Sequence, residues 1–209
     1  MNIAIIGAGN VGSALAQSLT RGGHTVTVAD RDPRDAQAAA PEAGGTAAHS
    51  NVDAARDAEA VILALPFAAI EGVVREIGDV LDGKILIDPT NRVDFDDPVS
   101  TFDGSSNAEQ IQAMAPNARV VKAFNTAFAS RQAEPEVDGM AADGFVAADD
   151  EAAKAAVLDL VRSIGFRPID AGPLGMARAL EAMALLNMTL QVRNEWPWQA
   201  AWKLIGPTG

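Results

Sequence analysis

The chain has no cysteine, no tyrosine and only two histidines among its 209 residues. Without cysteine there is no disulfide framework, no thiolate nucleophile and no thiolate metal site. Without tyrosine, the Tyr-x-x-x-Lys pair of short-chain dehydrogenases is excluded. Two histidines are too few for a His-rich metal centre, so no metal site is expected. Basic residues are also scarce, 16 against 28 acidic, for a net charge of −12. A nucleic-acid binder needs a basic face to neutralise phosphates, and no such partner is expected here. No apolar run approaches the roughly 18 residues that suggest a membrane span; the longest covers residues 60–70. A strand-like run, Ile3-Ala4-Ile5-Ile6, begins where a targeting segment would place basic residues. A cytoplasmic protein with no membrane partner is the expectation. Most side chains that serve as acids, bases and nucleophiles are thus missing. Either the protein is no enzyme, or cofactors carry its chemistry.

What is present is a large apolar fraction, 48%, enough to bury a full core. Strand-like and helix-like segments alternate. The strands are expected at 2–6, 25–29, 45–48, 60–65, 84–88, 119–123, 144–147 and 167–170. Helices are expected at 11–21, 34–40, 52–58, 67–80, 108–114 and 151–164, with Ser50 capping the third and Gly22-Gly23 ending the first. Several strands are apolar on both faces, which suits a parallel sheet covered by helices. The predicted fold is α/β: a doubly wound, mostly parallel Rossmann sheet over residues 1–172 and a short C-terminal helical part over 173–209. Residues 89–107 form a long polar connection, either functional or a plain linker. The last helix, expected over 174–195, has too many apolar positions for one narrow stripe. Packing between the sheet and a partner subunit would explain it, and a homodimer is expected. Trp196, Trp198 and Trp202 follow at once, with packing, as a dimer contact or a lid on the core, favoured over a role in a second-substrate pocket.

Gly7-Ala8-Gly9-Asn10-Val11-Gly12 fits G-x-G-x-x-G and stands between a strand and a helix. Gly7 permits the tight turn, Gly9 lets backbone approach a pyrophosphate, and Gly12 allows close helix–strand packing. The helix N-terminus offers free N–H groups to the phosphates. Asp30 ends the second strand, 18 residues past Gly12. It suits the ribose hydroxyls of NAD, whereas Arg31 and Arg34 suit the 2′-phosphate of NADP. These residues leave NAD and NADP evenly matched.

The chain resembles the NADP-dependent oxidoreductases of the deazaflavin coenzyme F420 and the related dinucleotide-binding domains of metalloreductases. The likeness rests on the glycine turn, Gly23-His24, Ala64-Leu65-Pro66-Phe67, Asp88-Pro89-Thr90-Asn91, Val121-Lys122-Ala123-Phe124-Asn125-Thr126, Ala171-Gly172-Pro173-Leu174 with its helix, and Ala201-Trp202-Lys203-Leu204. The resemblance implies a dimeric Rossmann enzyme that moves hydride between nicotinamide C4 and the central ring of coenzyme F420 or a flavin. It implies NADP as cofactor, with NAD as the other choice. The family usually shows Gly-Ser-Arg where this chain has Ala29-Asp30-Arg31, so only Arg31 carries over as a phosphate ligand. Tryptophan and histidine are usual where this chain has Phe67 and Asn125.

Hydride transfer between stacked rings needs proximity and orientation above all, which fits the scarcity of catalytic side chains. Leu65 and Pro66 are expected beside the nicotinamide ribose, Phe67 on the second ring, Asn91 at the site, and Asn125 with Thr126 on the carboxamide. Lys122 is the one charged residue in an apolar strand, either a proton donor or half of an ion pair at a sheet edge. Arg92 and Arg131 are the nearest cations for an anionic tail, Arg178 and Glu181 are expected to pair, and His24 to make a structural hydrogen bond. The alternatives are an imine or hydroxyacid dehydrogenase and a non-catalytic dinucleotide sensor.

Overall fold

The computed structural model describes residues 1–93, 96 and 104–206. Much of the connection 89–107 therefore lies outside the described residues. The elements are β1 (Asn2–Ile6), α1 (Asn10–Arg21), β2 (Thr25–Ala29), α2 (Pro33–Glu42), β3 (Thr46–Ala47), α3 (Asn51–Arg56), β4 (Ala60–Leu63), α4 (Phe67–Ile77), β5 (Ile85–Asp88), α5 (Asn107–Met114) and β6 (Arg119–Ala123). They continue as α6 (Ala129–Ala133), β7 (Glu136–Val137), β8 (Met140–Ala141), β9 (Asp143–Ala148), α7 (Glu151–Ser163), β10 (Arg167–Gly172) and α8 (Ala177–Asn194).

Eight strands form one sheet in the order β10-β9-β6-β5-β4-β1-β2-β3. Every neighbour pair is parallel except β6 with β9. This is the expected doubly wound Rossmann sheet. The chain turns from one half to the other between β1 and β4, which opens a crevice beyond their carboxyl ends. Successive side chains leave opposite faces of a strand, so Ile3 and Ile5 join one core layer while Ala4 and Ile6 join the other. The first layer packs α1 and α7, with Leu15, Leu19, Val157 and Leu160 buried. The second packs α4, α5 and the start of α8 through Ile70, Val74, Ile111 and Ala177. Each fully buried Ile or Leu contributes about 1.5–3 kcal/mol.

Local chemistry explains the helix starts. The Ser50 hydroxyl accepts the Asp53 N–H at 3.1 Å, as expected of a cap. Asp32 caps α2 in the same way, accepting from Arg34 N at 3.0 Å. Ser106 and Glu109 form a capping box on α5. His24 bonds Ser163 Oγ at 2.8 Å, and burial, then the nearby N-terminal ammonium, lowers its pKa. The helix α6 and the β7–β8 hairpin were not foreseen, being too short for periodicity to register.

The last helix differs from expectation. It begins as a 3₁₀ turn at Leu174–Met176 and becomes α-helical at Ala177. Its C-terminal half buries Asn187 and Gln191 and leaves Leu186 and Val192 half exposed. Apolar residues were expected inside, but the buried amides satisfy one another, Gln191 Nε2 donating to Asn187 Oδ1 at 3.1 Å, and Gln191 Oε1 accepts the Trp198 N–H at 3.0 Å. Beyond it, Asp143 is fully buried and fastens the C-terminal strap, accepting from Arg167 Nε and Nη2 at 2.7 Å and from Leu204 N at 2.6 Å. Burial pushes the Asp143 carboxyl up, but Arg167, the Leu204 N–H and Lys203 outweigh it, and its pKa is lowered. Among the described residues no helix is long and apolar enough to cross a membrane.

Candidate functional site

The glycine turn closes the gap between β1 and α1. Gly7 has φ 110°, a conformation costly for any residue with a side chain. A Cβ there would lie 2.2 Å from the Ala64 carbonyl oxygen, and one on Gly12 would lie 1.9 Å from the Gly7 oxygen. Gly9 is different: a Cβ would meet nothing within 4 Å. The space above Gly9 is thus open, and α1 begins there with no side-chain cap and no acidic residue in its first turn. Those N–H groups face the opening with their partial positive charge, which is the geometry a pyrophosphate needs.

Asp30 holds this turn. Its Oδ2 accepts the Ala8 N–H at 2.7 Å and its Oδ1 accepts the Asp32 N–H at 3.1 Å. Both oxygens are therefore already engaged on the protein backbone. Arg34 is engaged as well, pairing with Asp32 at 2.6 Å on the surface. Arg31 makes no hydrogen bond or ion pair among the described residues. It lines a cavity of about 600 Å³ with Asp30, His49, Ser50, Asn51 and Leu65. Of the two arginines, Arg31 is the one placed to meet an anion in that cavity.

A second cleft, of about 370 Å³, adjoins the first across Leu65 and Pro66, which line both. Gly9, Asn10 and Val11 form its floor, Leu63 to Phe67 one wall, and Pro89, Thr90 and Asn91 the other, with Val93 and Met188 at the margin. None of the described residues that line it titrates. Asn125 and Thr126 do not line this cleft; they are buried behind it. Asn125 Nδ2 donates to Asn91 Oδ1 and to Leu180 O, and Asn91 Nδ2 donates to Asn125 O, each at 2.9 Å. Asn125 Oδ1 is a buried acceptor with no partner among the described residues.

Lys122 corrects one expectation. Strand β6 is interior to the sheet, between β5 and β9, and the Lys122 side chain is fully buried. It is an ion pair, but not at an edge. Its Nζ bonds Asp88 Oδ2 at 2.8 Å, Glu181 Oε1 at 2.7 Å and Thr90 O at 2.6 Å. Three N–H groups meet three acceptors, so none remains for a substrate carbonyl. Burial, together with the Asp88 carboxylate, raises the Glu181 pKa against the lowering effect of Lys122. The expected Arg178–Glu181 pair is absent. Arg178 instead makes a two-point contact with Glu109 at 2.7 and 2.8 Å, which holds that carboxyl down at about 2.

Asp88, Thr90, Asn107, Glu181 and Met188 were not singled out as site residues. For Asp88 and Glu181 the available signal was a carboxylate within an otherwise apolar strand or helix. The tryptophans are only partly packed. Trp198 meets Phe128 edge-on at 5.3 Å, yet Trp196 and Trp198 remain 46% and 43% exposed. Of the two arginines proposed for an anionic tail, Arg131 donates to the Glu134 and Glu136 carbonyls at 3.1 and 3.0 Å.

Comparison with known proteins agrees with this geometry. The profile of the family described as NADP oxidoreductase, coenzyme F420-dependent, matches residues 2–92. The F420-dependent NADP reductase of Methanocaldococcus jannaschii is 31% identical over 213 residues, covering 92% of this chain and 93% of the reductase. A crystal structure of a candidate F420-dependent NADP-reductase from Arthrobacter sp. FB24 superposes with TM-score 0.86 at 32% identity, covering 98% of this chain and 100% of that one. Rat metalloreductase STEAP3 is 31% identical over 184 residues, but the chain spans only 36% of its length.

Proposed function

The chain belongs to the family of coenzyme F420-dependent NADP oxidoreductases, and from that premise we propose that it passes hydride between NADP(H) and the deazaflavin ring of coenzyme F420. It is an NADP-linked oxidoreductase; the acceptor is the proposed part. The observation that carries the acceptor is the untitratable lining of the 370 Å³ cleft. A carbonyl or imine needs a proton beside the atom being reduced, and no described residue of the lining supplies one. A ring that accepts hydride directly needs only to be held flat against the nicotinamide.

The open space over Gly9 and the uncapped start of α1 fit the pyrophosphate. Arg31 takes the 2′-phosphate, and Asp30, occupied with Ala8 and Asp32, serves as anchor of the turn. Leu65 and Pro66 separate the adenosine cavity from the nicotinamide cleft. Asn91, backed by the buried Asn125, lines the carboxamide side, and Phe67 bounds the acceptor ring. Bound NADPH supplies two electrons and one hydrogen as hydride from nicotinamide C4, leaving NADP⁺, while the acceptor takes one proton from water. The half-exposed Leu186, Val192 and Trp196 support a homodimer packed along α8.

The test is NADPH and NADH oxidation against coenzyme F420, FMN, FAD, riboflavin and a cyclic imine. Loss of the deazaflavin's visible absorbance with NADPH is expected. Turnover with a flavin alone would make the acceptor a flavin. Turnover of the imine with none of the ring acceptors would sink the reading.

A further inference from the structure

We infer that Lys122, Asp88 and Glu181 form a buried clasp that fixes the Thr90–Asn91 wall of the cleft, with Lys122 a positioning residue that acts through Thr90. This rests on the reading of that cleft as the nicotinamide site. The three charged side chains are 0–3% exposed, and they come from β6, the end of β5 and the first half of α8. Such a cluster is hard to justify by stability alone, because apolar residues of similar volume commonly hold a core as well or better. Where its hydrogen bonds lead is more informative.

They converge on Thr90. Its N–H donates to Asp88 Oδ1 at 2.8 Å, and its carbonyl oxygen accepts from Lys122 Nζ at 2.6 Å. Its hydroxyl oxygen accepts from Asn107 Nδ2 at 2.9 Å. Asn107 is in turn held by Glu181 Oε1, which accepts its backbone N–H at 2.9 Å. The N–H, carbonyl and hydroxyl oxygen of Thr90 are thus all engaged, two directly by clasp residues and one through Asn107. The next residue, Asn91, is locked to Asn125 by the paired amide bonds, and Asn125 reaches Leu180, the neighbour of Glu181.

The clasp also sets the position of α8. Met188 stands seven residues beyond Glu181, about 10 Å along the axis, and lines the same cleft. The Lys122 ammonium therefore ties β5, β6 and α8 together, and Glu181 adds α5 through the Asn107 N–H, around the surface against which a nicotinamide would lie. The opposite wall, Leu63 to Phe67, contributes no charged side chain. Hydride transfer is sensitive to this kind of support, since a displacement of about 1 Å can lower the rate on the order of 100-fold.

The variants K122M, E181A and E181Q test the clasp. Each is compared with the wild type for kcat, for NADPH affinity, and for fluorescence anisotropy of the bound nicotinamide. K122M and E181A are expected to lower kcat by about tenfold or more and to loosen the bound nicotinamide. NADPH affinity, set at the glycine turn and Arg31, should stay within about threefold. E181Q keeps an oxygen for Lys122 and Asn107 and should match the wild type within about twofold on all three measures. The clasp is refuted if folded K122M and E181A keep wild-type kcat and anisotropy. It is equally refuted if affinity falls in step with kcat. Should K122M fail to fold, E181A decides alone, because it leaves Lys122 and Asp88 as a neutral pair. If the wild type oxidises NADPH with no acceptor, the proposed reaction fails, and the anisotropy still decides the clasp.

Discussion

The two ends of the cleft are built by different means. At the end proposed for the phosphates the work is done by backbone: six consecutive residues, three of them glycine, leave the start of α1 open. Charge stays near the surface, on Arg31, Arg34 and Asp32. At the end proposed for the nicotinamide the work is done by side chains from β5, α5, β6 and α8, and its charges are sealed inside. The first design concentrates its determinants in one short stretch. The second spreads them over contacts that span 34, 59 and 74 residues.

The largest effect that would break this contrast lies in the glycines. Gly12→Ala places a Cβ 1.9 Å from the Gly7 carbonyl oxygen, a backbone atom that cannot swing aside. The turn must open, and thermal unfolding should show a loss of about 1–3 kcal/mol, the range for an overpacked core, or more. Gly9→Ala meets nothing within 4 Å. Its Tm should be that of the wild type, while NADPH affinity falls roughly tenfold or more as the methyl takes the space the phosphates need. Equal loss of stability in both variants would show that Gly9 serves the fold and not the ligand.

The same contrast explains what was legible beforehand. The turn at Gly7 and the capping by Ser50 follow from local rules, in which each residue's neighbours in sequence are its neighbours in space. The clasp obeys no such rule. Lys122 stood out as a charge in an apolar strand, yet its partners were hidden because Asp88 and Glu181 belong to other elements. Glu181 was assigned to Arg178 by helical spacing, whereas the fold offers each a better partner, Lys122 inside and Glu109 at the surface. The Asp30 question was likewise open in sequence. Its Oδ2 is seen to be occupied by the Ala8 N–H only once β2 is laid beside β1.

Arg31 gives a sharper, intermediate test. A charge-assisted hydrogen bond contributes about 1.5–3 kcal/mol, so Arg31→Ala should weaken NADPH binding about tenfold to 100-fold. NADH binding should not change, since it lacks the phosphate. Arg34→Ala removes a cation already paired with Asp32 on the surface, and NADPH binding should move by less than about threefold. The reverse ranking in a fluorescence titration would transfer the 2′-phosphate to Arg34.

The smallest effect concerns pH, and here the two kinds of charge pull in opposite directions. Glu109, held at about 2 by Arg178, and Asp143, lowered by its contacts to Arg167, Leu204 and Lys203, release protons more readily in the fold than in the unfolded chain. Their stabilisation is present above the unfolded carboxyl values, near 4, and is lost as pH falls through the folded ones. Glu181 has the opposite sign, because burial raises its pKa. The folded protein binds that proton more tightly, so its contribution is full below the unfolded value, near 4.5, and declines as pH rises through the folded one. The groups that face Glu181 are Lys122, Asp88 and the Asn107 N–H, with the Arg178–Glu109 pair one helical turn away. In urea unfolding across a pH series, stability should therefore peak on the mildly acidic side and fall at both ends. E181Q removes the titrating group and keeps its oxygen. It should flatten the decline on the neutral side and leave the acid limb as it was. A neutral limb unchanged in E181Q would mean that Glu181 is ionised in the folded protein throughout that range, with Lys122 balancing both carboxylates.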